Sequence, residues 1–74
     1  METGCVTWFH KVKGYGFIES EDGQSYFVHF SNLNMAGYKS LDVGQKVQFE
    51  IAENERGAQA VNVTKIYDWY NPNS

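Results

Sequence analysis

Apolar and polar residues alternate with a period of two along five short stretches, from about Cys5 to His10, Tyr15 to Ser20, Ser25 to Phe30, Lys46 to Glu53 and Ala60 to Ile66. That period belongs to half-buried β-strands. No run of ten or more residues carries a helical repeat, so the chain reads as all-β. Glu21-Asp22-Gly23-Gln24 and Asn54-Glu55-Arg56-Gly57 supply turns between neighbouring strands, each with a glycine suited to positive φ. Residues 31–45 make the longest connection, punctuated by Gly37 and Gly44, with a short helical turn expected near Ser31-Asn32-Leu33. Five strands in so few residues cannot bury two separate sheets, and a closed or nearly closed antiparallel barrel is the economical arrangement.

The same period sorts the side chains. Val6, Ile18, Val28, Val47, Phe49, Ile51, Val61 and Val63 are the expected inward set and fill a small barrel. Tyr15 and Phe17 share one face of the second strand, opposite Gly16 and Ile18; Phe27 and His29 share one face of the third, opposite Tyr26 and Val28. With the aliphatics inside, no interior is left for Trp8, Tyr15, Phe17 and Phe27, which are therefore expected on the surface. Strict alternation would put Trp8 on the side of Val6, so its exposure requires a β-bulge in the first strand. Exposed rings beside lysine form a stacking platform for unpaired bases, whose faces a duplex hides.

Composition qualifies this picture in two ways. The net charge is −3, with 6 Lys and Arg against 9 Asp and Glu, which is unlike the basic surface usual for phosphate binding. Yet Lys11, Lys13, Lys39 and Arg56 are placed to gather near the rings, whereas Glu50, Glu53 and Glu55 cluster later in the chain. The one cysteine, Cys5, allows no internal disulfide and suits a reducing, cytoplasmic setting. No stretch approaches the roughly 20 apolar residues of a membrane span. Cys5, His10 and His29 lack metal-ligand spacing, and neither Cys5 nor Ser31 has the partners of a catalytic nucleophile, so no cofactor, metal or enzymatic activity is expected.

The stretch Lys13-Gly14-Tyr15-Gly16-Phe17-Ile18 fits an aromatic RNA-binding pattern, but the fold usual for that pattern needs helices that this chain does not show. "GCVTWFHKVKGYGFIE", "YFVHFSNL", "GYKSLDVGQKVQFEI" and "RGAQAVNVTK", over about residues 4 to 65, instead resemble the bacterial cold-shock proteins. The resemblance implies a five-stranded oligonucleotide-binding (OB) barrel that binds single-stranded RNA and DNA with little sequence preference. It implies an RNA chaperone affecting transcription termination or translation. Carried over by position, the nucleic-acid-binding residues are Trp8, His10, Lys13, Tyr15, Phe17, Phe27, His29, Phe30, Tyr38, Lys39 and Arg56, with Phe9 a half-buried neighbour. The family usually has lysine where this chain has Thr7, commonly asparagine where it has His10, and frequently lysine where it has Cys5. Two lost cations imply weaker or less salt-dependent binding.

The cold-shock unit is expected over residues 1–66, with 67–74 a short aromatic extension that packs on the barrel or adds a stacking ring. A monomer is expected, with strand exchange between two copies as the alternative. The rival function is a protein-interaction or self-association module that uses the same exposed rings.

Overall fold

The computed structural model describes residues 1–35, 37, 39–55 and 57–66. Five strands follow in order: β1 (Glu2–His10), β2 (Tyr15–Ser20), β3 (Ser25–His29), β4 (Lys46–Asn54) and β5 (Gly57–Lys65). A 3₁₀ turn, Phe30–Asn32, follows β3. The strands close into a barrel in the order β1-β2-β3-β5-β4, an OB-type arrangement. Four of the contacts around the barrel are antiparallel, but β3 meets β5 in parallel through Phe27 and Gln59, so the expected all-antiparallel barrel is corrected at its closing seam.

Two irregularities decide which side chains enter the core. In β1, Val6 pairs with Ile18 and Trp8 with Phe17, leaving Thr7 as the extra residue of a bulge. Thr7 and Trp8 therefore both face outward, and Phe9 falls inward. The bulge that an exposed Trp8 requires is present. Phe9, expected half buried, is 8% exposed and belongs to the core.

In β5, Gln48 pairs with Thr64 and Glu50 with Val61, so β5 carries one residue more than β4 between those rungs. Asn62 lies there with a φ of 50°. The expectation that Val61 and Val63 share the inward face is corrected by this bulge: Ala60 and Val63 are buried, while Val61 is half buried. Ile51 is a second correction. It continues the inward row of Val47 and Phe49, but the β1–β4 pairing ends at Glu2 and Phe49, and Ile51 lies beyond that cover, 39% exposed.

Leu33 and Leu41, from the long connection, complete a core of Val6, Phe9, Ile18, Val28, Val47, Phe49, Ala60 and Val63. Leu33 bridges to Val63, and the Asn34 amide donates to the Val63 carbonyl at 2.7 Å, which ties the connection to β5. Tyr26 packs on this core from the inner side of β3, its ring 5.7 Å from that of Phe49.

Candidate nucleic-acid interface

Strand pairing arranges the rings in rungs that cross β1, β2 and β3. One rung reads His10, Tyr15, His29; the next reads Phe9, Gly16, Val28 and is buried; the third reads Trp8, Phe17, Phe27 and continues to Gln59 on β5. The pleat thus lifts two ring-bearing rungs outward on either side of an inward one. Gly16 in the middle rung allows the strands to meet: a Cβ there would strike the Trp8 carbonyl and stand 2.7 Å from the Phe9 Cα.

The outward rings touch one another. Trp8 meets Tyr15 edge to face at 5.5 Å, and Phe17 meets Phe27 likewise at 5.9 Å. Tyr15 lies 5.9 Å from Phe27 at 28°, and His10 is nearly parallel to Tyr15, 9° apart in plane at 6.2 Å. Such contacts hold the rings in place before any ligand arrives. Trp8 and Phe17 nevertheless remain 43% and 39% exposed. Exposed apolar surface of this kind, on a small chain with a full core, is a candidate contact surface.

Phe30 extends the stripe past β3, its ring 4.5 Å from that of His29. It rests on Gly14, where a Cβ would come within 2.6 Å of the ring and where φ is +77°, so glycine satisfies both space and backbone. The Phe30 amide donates to the Gly14 carbonyl at 2.7 Å, fixing the ring beside the turn that carries Lys13. Beyond Phe30 opens a cleft of about 350 Å³, lined by Lys11, Val12, Gly14, Phe30, Gly37 and Lys39.

The cations stand at the edges of this surface. Lys13 is exposed beside the first rung and Lys39 is half buried in the cleft wall. Lys11 pairs with Asp42 at 2.7 Å, and its hydrogen bond and charge hold the Asp42 carboxyl below the usual carboxylate range. Glu19 follows Tyr15 and Phe17 on the outward face of β2, so the stripe runs from lysine at one end to a carboxylate at the other. Trp8, His10, Lys13, Tyr15, Phe17, Phe27, His29, Phe30 and Lys39 are thereby brought to one side of the barrel. Tyr38 and Arg56 lie outside the described residues, as does the aromatic segment 67–74.

Sequence reasoning did not find Gln59, which adjoins Phe27 through the parallel pairing, or the cleft-lining role of Val12 and Gly37. No period within a strand carries those contacts. Among the described residues, no group of three or more His, Cys, Asp or Glu side chains could hold a metal ion, and no helix is long and apolar enough to cross a membrane.

A small OB-type barrel with a ring-covered outer face defines a class of compact binding domains. The family model described as the 'Cold-shock' DNA-binding domain matches residues 2–66, and the chain belongs to the cold-shock domain family, whose members are nucleic-acid-binding proteins and not enzymes. It is 56% identical over 66 residues to the cold shock-like protein CspLB of Listeria monocytogenes, covering 89% of this chain and 100% of that one. It is 57% identical over 65 residues to the cold shock protein CspC of Bacillus subtilis, covering 88% of this chain and 98% of that one. Among solved structures, drosophila Unr CSD456 superposes with a TM-score of 0.75 over 90% of this chain and 27% of that chain, at 22% identity, which supports the fold.

Proposed function

We propose that the protein binds single-stranded RNA and DNA by stacking bases on the outward rings of β1–β3, and that it acts in the cytoplasm as an RNA chaperone influencing transcription termination or translation. The binding residues are Trp8, His10, Lys13, Tyr15, Phe17, Phe27, His29, Phe30 and Lys39, together with Tyr38 and Arg56. One observation carries this reading: two ring-bearing rungs on adjacent strands face outward side by side, with lysines at their edge. Each base stacked on an aromatic side chain contributes about 1–3 kcal/mol, so three or four stacks give roughly 3–12 kcal/mol gross. Micromolar affinity corresponds to about 8 kcal/mol. Stacking can therefore carry the binding although the chain is acidic.

The test is a titration of a Trp69→Phe background, in which Trp8 is the remaining tryptophan, with a thymidine oligonucleotide and with a matched duplex. Quenching by the single strand and not by the duplex is expected. If neither quenches and light scattering shows mass rising with concentration, the rings serve self-association instead.

A further inference from the structure

His10 and His29 occupy the two ends of one rung, with Tyr15 between them. Each ring is tied to the backbone through the same nitrogen. The Lys13 amide donates to His10 Nδ1 at 3.0 Å. The Ser31 amide donates to His29 Nδ1 at 3.3 Å, and the Ser31 hydroxyl lies 2.9 Å from the same atom. A backbone N–H is a fixed donor, so Nδ1 must be the unprotonated acceptor in both rings. The single proton of each neutral imidazole then sits on Nε2, across the ring from the atom the backbone occupies.

Phe17, Phe27 and Phe30 offer no hydrogen-bonding group, and Trp8 and Tyr15 each carry one donor of their own. The histidines add one N–H donor at each end of the Tyr15 rung. His10 carries the stronger half of the argument, because its nearly parallel setting on Tyr15 places a donor within a stacked row. An N–H held in one tautomer donates to a carbonyl oxygen and finds no acceptor in an amino group at the same place.

We propose that His10 and His29 form a matched pair of neutral donors that read the bases stacked beside Tyr15, favouring positions that offer a carbonyl oxygen over positions that offer an exocyclic amino group. The inference rests on the stacking function proposed above and adds a selectivity to it. Uracil and cytosine supply the comparison, since both are single-ring pyrimidines that keep the O2 carbonyl, with a carbonyl oxygen at C4 and N3–H in uracil against an amino group at C4 and an acceptor N3 in cytosine.

Two measurements on the full chain test it. Long-range proton–nitrogen correlation spectra read the tautomer directly. Both rings are expected to carry the proton on Nε2. Titration with uridine and cytidine hexamers then gives an affinity ratio in favour of uridine. His10→Phe and His29→Phe, which keep a ring and remove the donor, are each expected to lower that ratio by about 2- to 10-fold, as one hydrogen bond would. His10→Gln, which has an acceptor for the Lys13 amide and a donor but no ring, should weaken both hexamers and keep the ratio. A proton on Nδ1 of either ring, or a wild-type ratio retained in either Phe variant, overturns the donor pair while leaving the stacking function intact. Failure of the unaltered protein to bind either hexamer would bring down the stacking function, and the donor pair with it.

Discussion

At the scale of single residues, neighbouring positions on one strand have opposite tasks. Val28 is fully buried, and Phe27 and His29 on either side of it face outward. Truncating a ring and truncating a core aliphatic should therefore separate binding from stability. Trp8→Ala, Phe17→Ala and Phe27→Ala are each expected to cost about 1–3 kcal/mol of single-strand affinity with melting temperatures little changed. Val28→Ala is expected to cost about 1–3 kcal/mol of stability through the cavity it leaves, with affinity per folded molecule retained. Oligonucleotide titration beside thermal unfolding reads both quantities. Gly16→Ala acts on stability, because its Cβ would meet the Trp8 carbonyl, the Phe9 Cα and the Phe9 ring. A loss of about 1–3 kcal/mol in stability is expected from such overpacking, seen as a lowered denaturant midpoint.

At the scale of elements, bulges and turns set what a simple period cannot. Thr7 is exposed on the β1 bulge beside Trp8, and its side chain donates to the Phe17 carbonyl at 3.3 Å. Thr7→Lys would place a cation at the edge of the third rung. It is expected to tighten single-strand binding and to steepen the salt dependence by about 0.7 in log–log slope, one added phosphate contact. The β2–β3 turn supplies a pH-dependent counterpart. The Ser20 hydroxyl and the Gln24 amide both donate to Asp22, and these bonds, that of Ser20 first, hold its carboxyl below the usual aspartate range. A carboxyl whose folded value is depressed adds stability above its unfolded value, and that stability is lost as pH falls through the folded value. Asp22→Ala should therefore lower the melting temperature at neutral pH, with the difference from the unaltered protein closing below about pH 4.

The same elements show how far a sequence can be read. The outward rings were legible because a full barrel leaves them nowhere else to go, and that volume argument even required the β1 bulge around Trp8. The β5 bulge left no such mark. Ala60 and Val61 are both apolar, so the pattern does not tell which one enters, and Asn62 in a left-handed conformation is a backbone fact. Leu33 and Leu41 lie in a connection without period, and their burial depends on where that connection crosses the barrel. Ile51 has the pattern of a core residue and pairs with Ala60 of β5, but β1 does not reach it on the other side. Gln59 reaches the ring surface through a parallel pairing that joins distant parts of the chain.

For the whole molecule, the net charge of −3 and the few cations at the ring edge limit how many phosphates are neutralised at once. With about two phosphate contacts, single-strand affinity is expected to fall less than about tenfold between 50 and 200 mM salt, measured by fluorescence titration. A binder resting mainly on phosphate contacts would lose far more. Chain order has a separate consequence. The outward rings Trp8 to Phe30 come from the first strands, whereas β4 and β5, which cover the inner side of those strands, come last. During synthesis the inner side of β1–β3 therefore waits for β4, and the closing seam at Phe27 waits for Gln59 of β5. The barrel closes only once β5 has been made, and a nascent chain stalled before β5 leaves the edge of β3 unpaired beside the exposed rings.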